Sequence, residues 1–221
     1  MMVAVAVSAL ALSAQAIPTL QLQSNGSTVT VVDGGAGDLS FGANDSITWL
    51  GSVGGWNLNL AIAVSGGSQT APSISLDFVS GSVGGSPLTV LFSDTGFGPS
   101  AANVVSSISG GSFGGGSVLF ETYADAGNQL FGTGTLLESQ VYQNNLSGSS
   151  STPLALGYAY SLTEKIVIDS KCVGLTKFCS SVEVGNGGAT VPDGGMTLVL
   201  LGSSLTGLAV FARSRKFAFA K

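Results

Sequence analysis

Between Leu20 and Val184 the chain is built of short runs in which apolar and polar residues exchange at every second position, separated by clusters of Gly, Ser and Asn. The clearest run is Trp56 to Val64. Leu58, Leu60, Ile62 and Val64 fall on one side of it, and Asn57 and Asn59 on the other. A period of two is the signature of a half-buried strand, because successive side chains of an extended chain point to opposite faces. Strands are predicted over 28–32, 56–64, 73–79, 88–92, 104–108, 117–123 and 135–142, with one long extended stretch over 154–168. The segment 121–130 is the weakest of these and also reads as a loop. Nothing in the body sustains a 3.6-residue apolar stripe. Regularly spaced strands with glycine-rich turns predict a mostly β protein, an antiparallel β-sandwich or jelly roll. The pentapeptide Gly51-Ser52-Val53-Gly54-Gly55 recurs as Gly81-Ser82-Val83-Gly84-Gly85. Two copies read as repeated use of turn residues, since a solenoid needs at least three.

Both ends break the alternation. Val3 to Leu12 is almost wholly apolar and is followed by Ala14-Gln15-Ala16, a small-x-small cleavage pattern. This predicts a signal peptide over 1–16; about ten apolar residues are too few to cross a bilayer. At the other end, residues 196–212 carry no charge. As a helix they would be roughly 25 Å long, the short limit for a transmembrane span. Arg213, Arg215 and Lys216 follow directly and would hold that end on the cytoplasmic side, with the body outside. Ahead of the span lies Val191-Pro192-Asp193-Gly194-Gly195. Pro192 has no N–H to continue a helix and Asp193-Gly194 favours a turn, so the motif would stand exposed before the helix. The organisation expected is a signal peptide over 1–16, an ectodomain over 17–188 and a C-terminal segment over 189–221, in which 191–195, 196–212 and 213–221 are motif, transmembrane helix and basic tail.

Charge sharpens this division. Only 9% of the residues are charged, against roughly 25% in an ordinary soluble domain. Between Ile17 and Thr190 the basic residues are Lys165, Lys171 and Lys177, set against eleven of the chain's twelve carboxylates, Asp193 being the twelfth. An acidic body without arginine cannot neutralise phosphates, which excludes a nucleic-acid partner. Histidine is absent, which removes the commonest general base and the commonest metal ligand.

Candidate chemistry in the body is sparse. Cys172 and Cys179 are its two cysteines, and in an exported chain they most simply form a disulfide. No histidine or further cysteine exists to complete a zinc site with them. Asp33-Gly34-Gly35-Ala36-Gly37-Asp38 is near the calcium-binding β-roll repeat but one residue short and present once, so it reads as a hairpin turn. Asp33, Asp38 and Asp45 are the alternative, an ordinary calcium site. Glu121, Asp125 and Glu138 are the nearest carboxylate cluster for glycoside hydrolysis, but nothing places two of them across a cleft. Trp49, Trp56, Phe97 and Tyr123 have the rings that stack on sugars, although such residues in β proteins more often fill the core. No cofactor and no metal are expected, and the body is read as non-enzymatic.

The order of Val191-Pro192-Asp193-Gly194-Gly195, the apolar span and the basic cluster resembles the PEP-CTERM class of bacterial sorting signals, in its VPDSG-type variant, with Gly194 where that variant has Ser. The resemblance covers about thirty residues of the chain. It implies an exosortase, a membrane-embedded cysteine protease or transpeptidase, as the processing partner, and a producer with an exopolysaccharide system. The runs Val31 to Leu39, Leu91 to Phe97 and Tyr160 to Glu164 are similar, at the level of pattern, to ectodomains that precede such tails. That likeness implies a secreted β-sandwich of unassigned activity. The expectation is an exported surface or exopolysaccharide-matrix protein. Its precursor would sit in the inner membrane with the body in the periplasm, before release to the cell surface or extracellular matrix. A carbohydrate-binding module on the same sandwich is the alternative, and a glycan-active enzyme a more distant one.

Overall fold

A computed structural model of the chain describes residues 17–40, 45–82, 85–172 and 177–185. The expected signal peptide, sorting motif, transmembrane helix and basic tail lie outside the described residues. Those described contain twelve strands and no helix. The strands are β1 (Thr19–Ser24), β2 (Ser27–Val32), β3 (Ser46–Val53), β4 (Trp56–Ser68), β5 (Ala71–Ser82), β6 (Leu88–Phe97), β7 (Ser100–Ser112), β8 (Val118–Asp125), β9 (Thr135–Tyr142), β10 (Asn145–Leu156), β11 (Tyr160–Ile168) and β12 (Lys177–Gly185).

They form two six-stranded antiparallel sheets, as the alternation predicts for a sandwich. One has the order β2-β1-β6-β11-β8-β9, the other β10-β7-β12-β5-β4-β3. Only the β1–β2, β3–β4, β4–β5 and β8–β9 connections stay within a sheet; every other one carries the chain across to the opposite sheet. The two last strands are central: β11 lies between β6 and β8, and β12 between β7 and β5.

The differences from the sequence reading have separate causes. The alternation reading assigns no strand to β1, β3 or β12, and it runs the end of β10 and all of β11 together. β1 alternates Leu20 and Leu22 with Gln21 and Gln23 but is only six residues long, and in β12 Ser180 stands in the apolar phase, which weakens the contrast between its faces. β3 carries an irregularity in register between Trp49 and Gly51, which shifts its phase. Tyr158, 80% exposed, marks the break between β10 and β11.

The core is the inward phase of both sheets. Leu20, Leu22, Val90, Phe92, Phe120, Leu162 and Ile166 come from the first, and Ile47, Ile74, Leu76, Phe78, Val104, Ile108, Phe178 and Val182 from the second; all are buried. Phe78 and Phe178, directly opposite on β5 and β12, stack with centroids 4.8 Å apart and ring planes 13° apart. Burial of such side chains, at about 25 cal/mol per Å² of apolar area removed from water, is what holds the sheets together.

Candidate functional site

Among the described residues three buried pairs of polar side chains join the two sheets. Ser65 Oγ on β4 donates to Asp94 Oδ2 on β6. Ser106 Oγ on β7 and Thr122 Oγ1 on β8 lie 2.8 Å apart. Ser180 Oγ on β12 donates to Glu164 Oε2 on β11 at 2.8 Å. Glu164 and Thr122 are neighbours across the β11–β8 ladder. Glu164 is fully buried and its Oε1 has no hydrogen-bond partner. Burial pushes its carboxyl up to about 8; the Ser180 hydrogen bond opposes the rise and Asp77 adds to it. Asp94 is shifted in the same direction, first by burial, against hydrogen bonds from Ser65 and Thr95 and with Asp45 and Asp33 adding to it. A carboxyl left without a cationic partner in a low-dielectric interior protonates rather than remain charged. The signal for both acids is in the sequence: Glu164 follows Tyr160 and Leu162 and precedes Ile166 in the inward phase, and Asp94 follows Leu88, Val90 and Phe92.

The acidic loop after β2 is a closed turn. Gly34 N donates to Asp38 Oδ2 at 2.9 Å, and Ser40 N and Thr48 N donate to its Oδ1 at 2.9 and 3.0 Å. Partial burial pushes this carboxyl upward, but these bonds and that from the Ser40 hydroxyl outweigh it and hold the group at about 2. Asp33 Oδ2 accepts from Asp45 N at 2.9 Å. Among the described residues no group of three or more His, Cys, Asp or Glu is placed to hold a metal ion, so Asp33, Asp38 and Asp45 are not brought together as ligands.

The expected disulfide is a correction. Cys172 and Cys179 are both free thiols. Cys172 lies in the core and donates from Sγ to Ser117 O at 3.3 Å. Cys179 sits on β12 between Phe178 and Ser180, both inward, so alternation turns it to the outer face beside Asp77. The two thiols thus have different settings, one in the core and one on the outer face of β12. Burial raises both thiols, that of Cys179 to about 12, with the Asp77 carboxylate adding to the effect.

The three candidate carboxylates for glycan chemistry have separate settings. Glu121 on β8 pairs with Lys165 on β11, Oε2 to Nζ 2.7 Å, directly opposite it in the ladder. Partial burial raises Glu121, but Lys165, Tyr123 and Ser139 outweigh it and the net shift is downward. Asp125, at the end of the same strand, accepts from Gly127 N and Gln129 N, both at 3.2 Å, and so caps its own loop. Glu138 stands on β9 opposite Thr122. The loop that Asp125 starts folds over the outer face. Phe131 N donates to Ser93 Oγ at 3.0 Å and Ser161 Oγ to Gln129 O at 2.7 Å, which buries Ser93, Ser161 and Thr163.

The tryptophans are not on the surface. Trp56 is 1% and Trp49 8% exposed, so neither ring is a platform for a sugar. Phe97 is buried against Tyr160, with centroids 5.8 Å apart. Trp56 has a different task, since its Nε1 donates to Ser86 O at 2.7 Å and fixes the segment leading into β6. That segment borders a surface cavity of about 280 Å³ lined by Gln23, Ser24, Asn25, Gly26, Ser27, Thr28, Pro87 and Thr89. Its lining carries no charge and no aromatic ring. No family model, curated protein or solved structure matches the chain.

Proposed function

We propose that the chain is an exported, non-enzymatic surface or exopolysaccharide-matrix protein, delivered by its C-terminal segment and processed there by an exosortase. The observation that carries this reading is the order of Val191-Pro192-Asp193-Gly194-Gly195, the uncharged stretch 196–212 and Arg213, Arg215 and Lys216. The apolar N-terminal stretch before Ala14-Gln15-Ala16 supports it, as a signal peptide for the same route. The body supports it through chemistry: a two-sheet β protein that is poor in charge and lacks histidine suits a structural or adhesive role. On this reading the precursor crosses the inner membrane through 196–212 with its basic tail inside, and the sandwich is released outward after processing. The test is mass spectrometry of the mature C-terminus in a producing cell, alongside a chain lacking 191–221. Loss of the apolar span and of Arg213 to Lys221 from the mature protein, with delivery abolished by the truncation, is the expected result. A mature surface protein that still carries Lys221, or unchanged delivery of the truncated chain, overturns it.

The second reading, a carbohydrate-binding module, no longer rests on Trp49 and Trp56, whose burial counts against stacking there. It is favoured instead by the uncharged cavity beside the β1–β2 turn.

A further inference from the structure

We propose that the cavity beside the β1–β2 turn is a subsite for one sugar ring of a neutral glycan. The proposal deepens the carbohydrate-binding reading by giving it a place and a ligand class.

The wall is made by three adjacent strands. Gln23 on β1 lies between Thr28 on β2 and Thr89 on β6 in register, and all three point away from the core occupied by Leu22 and Val90. Asn25 and Gly26 turn the chain between β1 and β2 with φ of 48° and 74°, the paired positive values of a tight hairpin. Pro87 closes the opposite side and supplies the one ring surface of the lining.

The neighbouring structure holds this wall in place. Trp56 fixes the Ser86 carbonyl immediately before Pro87. Ser24, buried, is backed by the β3–β4 turn, where a Cβ on Gly54 would come within 2.3 Å of Ser24 O. Gln23 Nε2 donates to Gln21 Oε1, and Gln21 Nε2 donates to Thr30 Oγ1 at 3.1 Å. This relay fixes the Gln23 amide and leaves its Oε1 as the acceptor end.

The ligand class follows from the lining. Without Lys, Arg, Asp or Glu the cavity has no means of recognising an ion, and the acidic body around it disfavours polyanions. With Pro87 as its one apolar ring and no aromatic wall it is a poor site for an apolar molecule. Its amides and hydroxyls can each both donate and accept, which matches the hydroxyls of a neutral sugar. At about 280 Å³ it lies just below the roughly 300–1,000 Å³ of sites that enclose a whole drug-sized ligand, so it suits one ring of a longer chain. With no stacking platform each subsite binds weakly, with Kd on the order of millimolar, and many copies on one polymer add avidity.

The test is saturation-transfer NMR on the full chain in a sugar-free detergent. The probes are gluco-, galacto- and manno-oligosaccharides, with oligogalacturonate as the acidic counterpart. At least one neutral series is expected to receive saturation and oligogalacturonate none. Gln23→Ala should weaken binding about tenfold, as the loss of one ordered hydrogen-bonding group predicts. Thr28→Trp, on an exposed position of edge strand β2, should fill the cavity and abolish binding with the far-ultraviolet circular dichroism unchanged; it keeps the test decisive if Gln23→Ala fails to fold. No transfer to any neutral series, equal transfer to oligogalacturonate, or wild-type binding by Thr28→Trp overturns the proposal. Delivery and C-terminal processing are read separately, so lost binding with intact processing overturns this inference alone.

Discussion

Glu164 Oε2 accepts a hydrogen bond from Ser180 Oγ at 2.8 Å, and the two residues belong to opposite sheets. The carboxyl at the centre of the sandwich is thus anchored by one neutral hydroxyl, with its other oxygen unpartnered. Such an acid is tolerated only while it holds its proton.

The pH dependence of stability follows with a definite sign. Glu164 has a folded value of about 8 against an ordinary 4.5. Between those limits the folded state keeps a proton that the unfolded state has lost, so stability falls as pH rises through that window. At about 1.4 kcal/mol per pKa unit the loss is on the order of several kcal/mol. Thermal unfolding of the wild type should show a melting temperature that declines from pH 4.5 to pH 8. Glu164→Gln should flatten most of the decline and leave a residue from Asp94, which is shifted the same way. Equal slopes for variant and wild type would refute the assignment.

The cysteines give a sharp chemical readout. Titration of the denatured chain with a thiol reagent, without reductant, should find both Cys172 and Cys179 free. In the native state they should react slowly even at mildly alkaline pH, because burial raises both thiols and the thiolate is the reactive form. Absence of free thiol in the denatured, unreduced chain would restore the disulfide.

Phe178→Ala removes one ring of the stacked pair that joins β5 to β12. Truncation of a buried Phe costs about 3–5 kcal/mol. Denaturant unfolding should show a loss of that size, and a loss below about 1 kcal/mol would mean that the β5–β12 seam is not a main support.

Gly54→Ala tests the β3–β4 turn. Gly54 has φ of +52°, and an added Cβ would meet Ser24 O at 2.3 Å. Both the backbone strain and the clash disfavour alanine, so a loss of more than about 1 kcal/mol is expected in the same unfolding assay. Gly26→Ala, where a Cβ has open space, isolates the strain from the clash and should cost less.

The sequence shows the sandwich most clearly where inward and outward residues differ strongly. Ser73 to Val79 is legible because inward Ile74, Leu76 and Phe78 alternate with Ser and Asp. In Trp56 to Val64 the strand is legible but its faces are not: the expected common face of Leu58, Leu60, Ile62 and Val64 is a correction, because register shifts between Asn57 and Leu60 turn Ala61 and Ala63 inward and leave Val64 exposed. Legibility fails where the inward phase carries a polar residue, as at Ser180 in β12, and where a bulge changes phase, as beside Trp49 in β3. Sheet order is not legible at all, because β12 finds its partners β5 and β7 across long separations that no local pattern encodes. The buried acid was readable as Glu164 in an apolar phase. The cavity was not, because Gln23, Thr28 and Pro87 meet only through the pairing of β1 with β2 and β6. The different settings of Cys172 and Cys179 depend on which face each takes, and sequence distance carries no information on that.

The central place of β11 and β12 sets an order of assembly. Until residue 168 is available β6 and β8 have no shared neighbour, and until residue 185 is available β5 and β7 have none. Each sheet therefore remains two separate halves through most of the chain's length and becomes continuous only when its last strand is inserted. A chain that emerges N-terminus first stays open for threading until the final tenth of the described body appears. Completion of the fold then waits for the last strand of the body, so that β12 acts as a latch closed by the end of the chain's emergence rather than by its beginning.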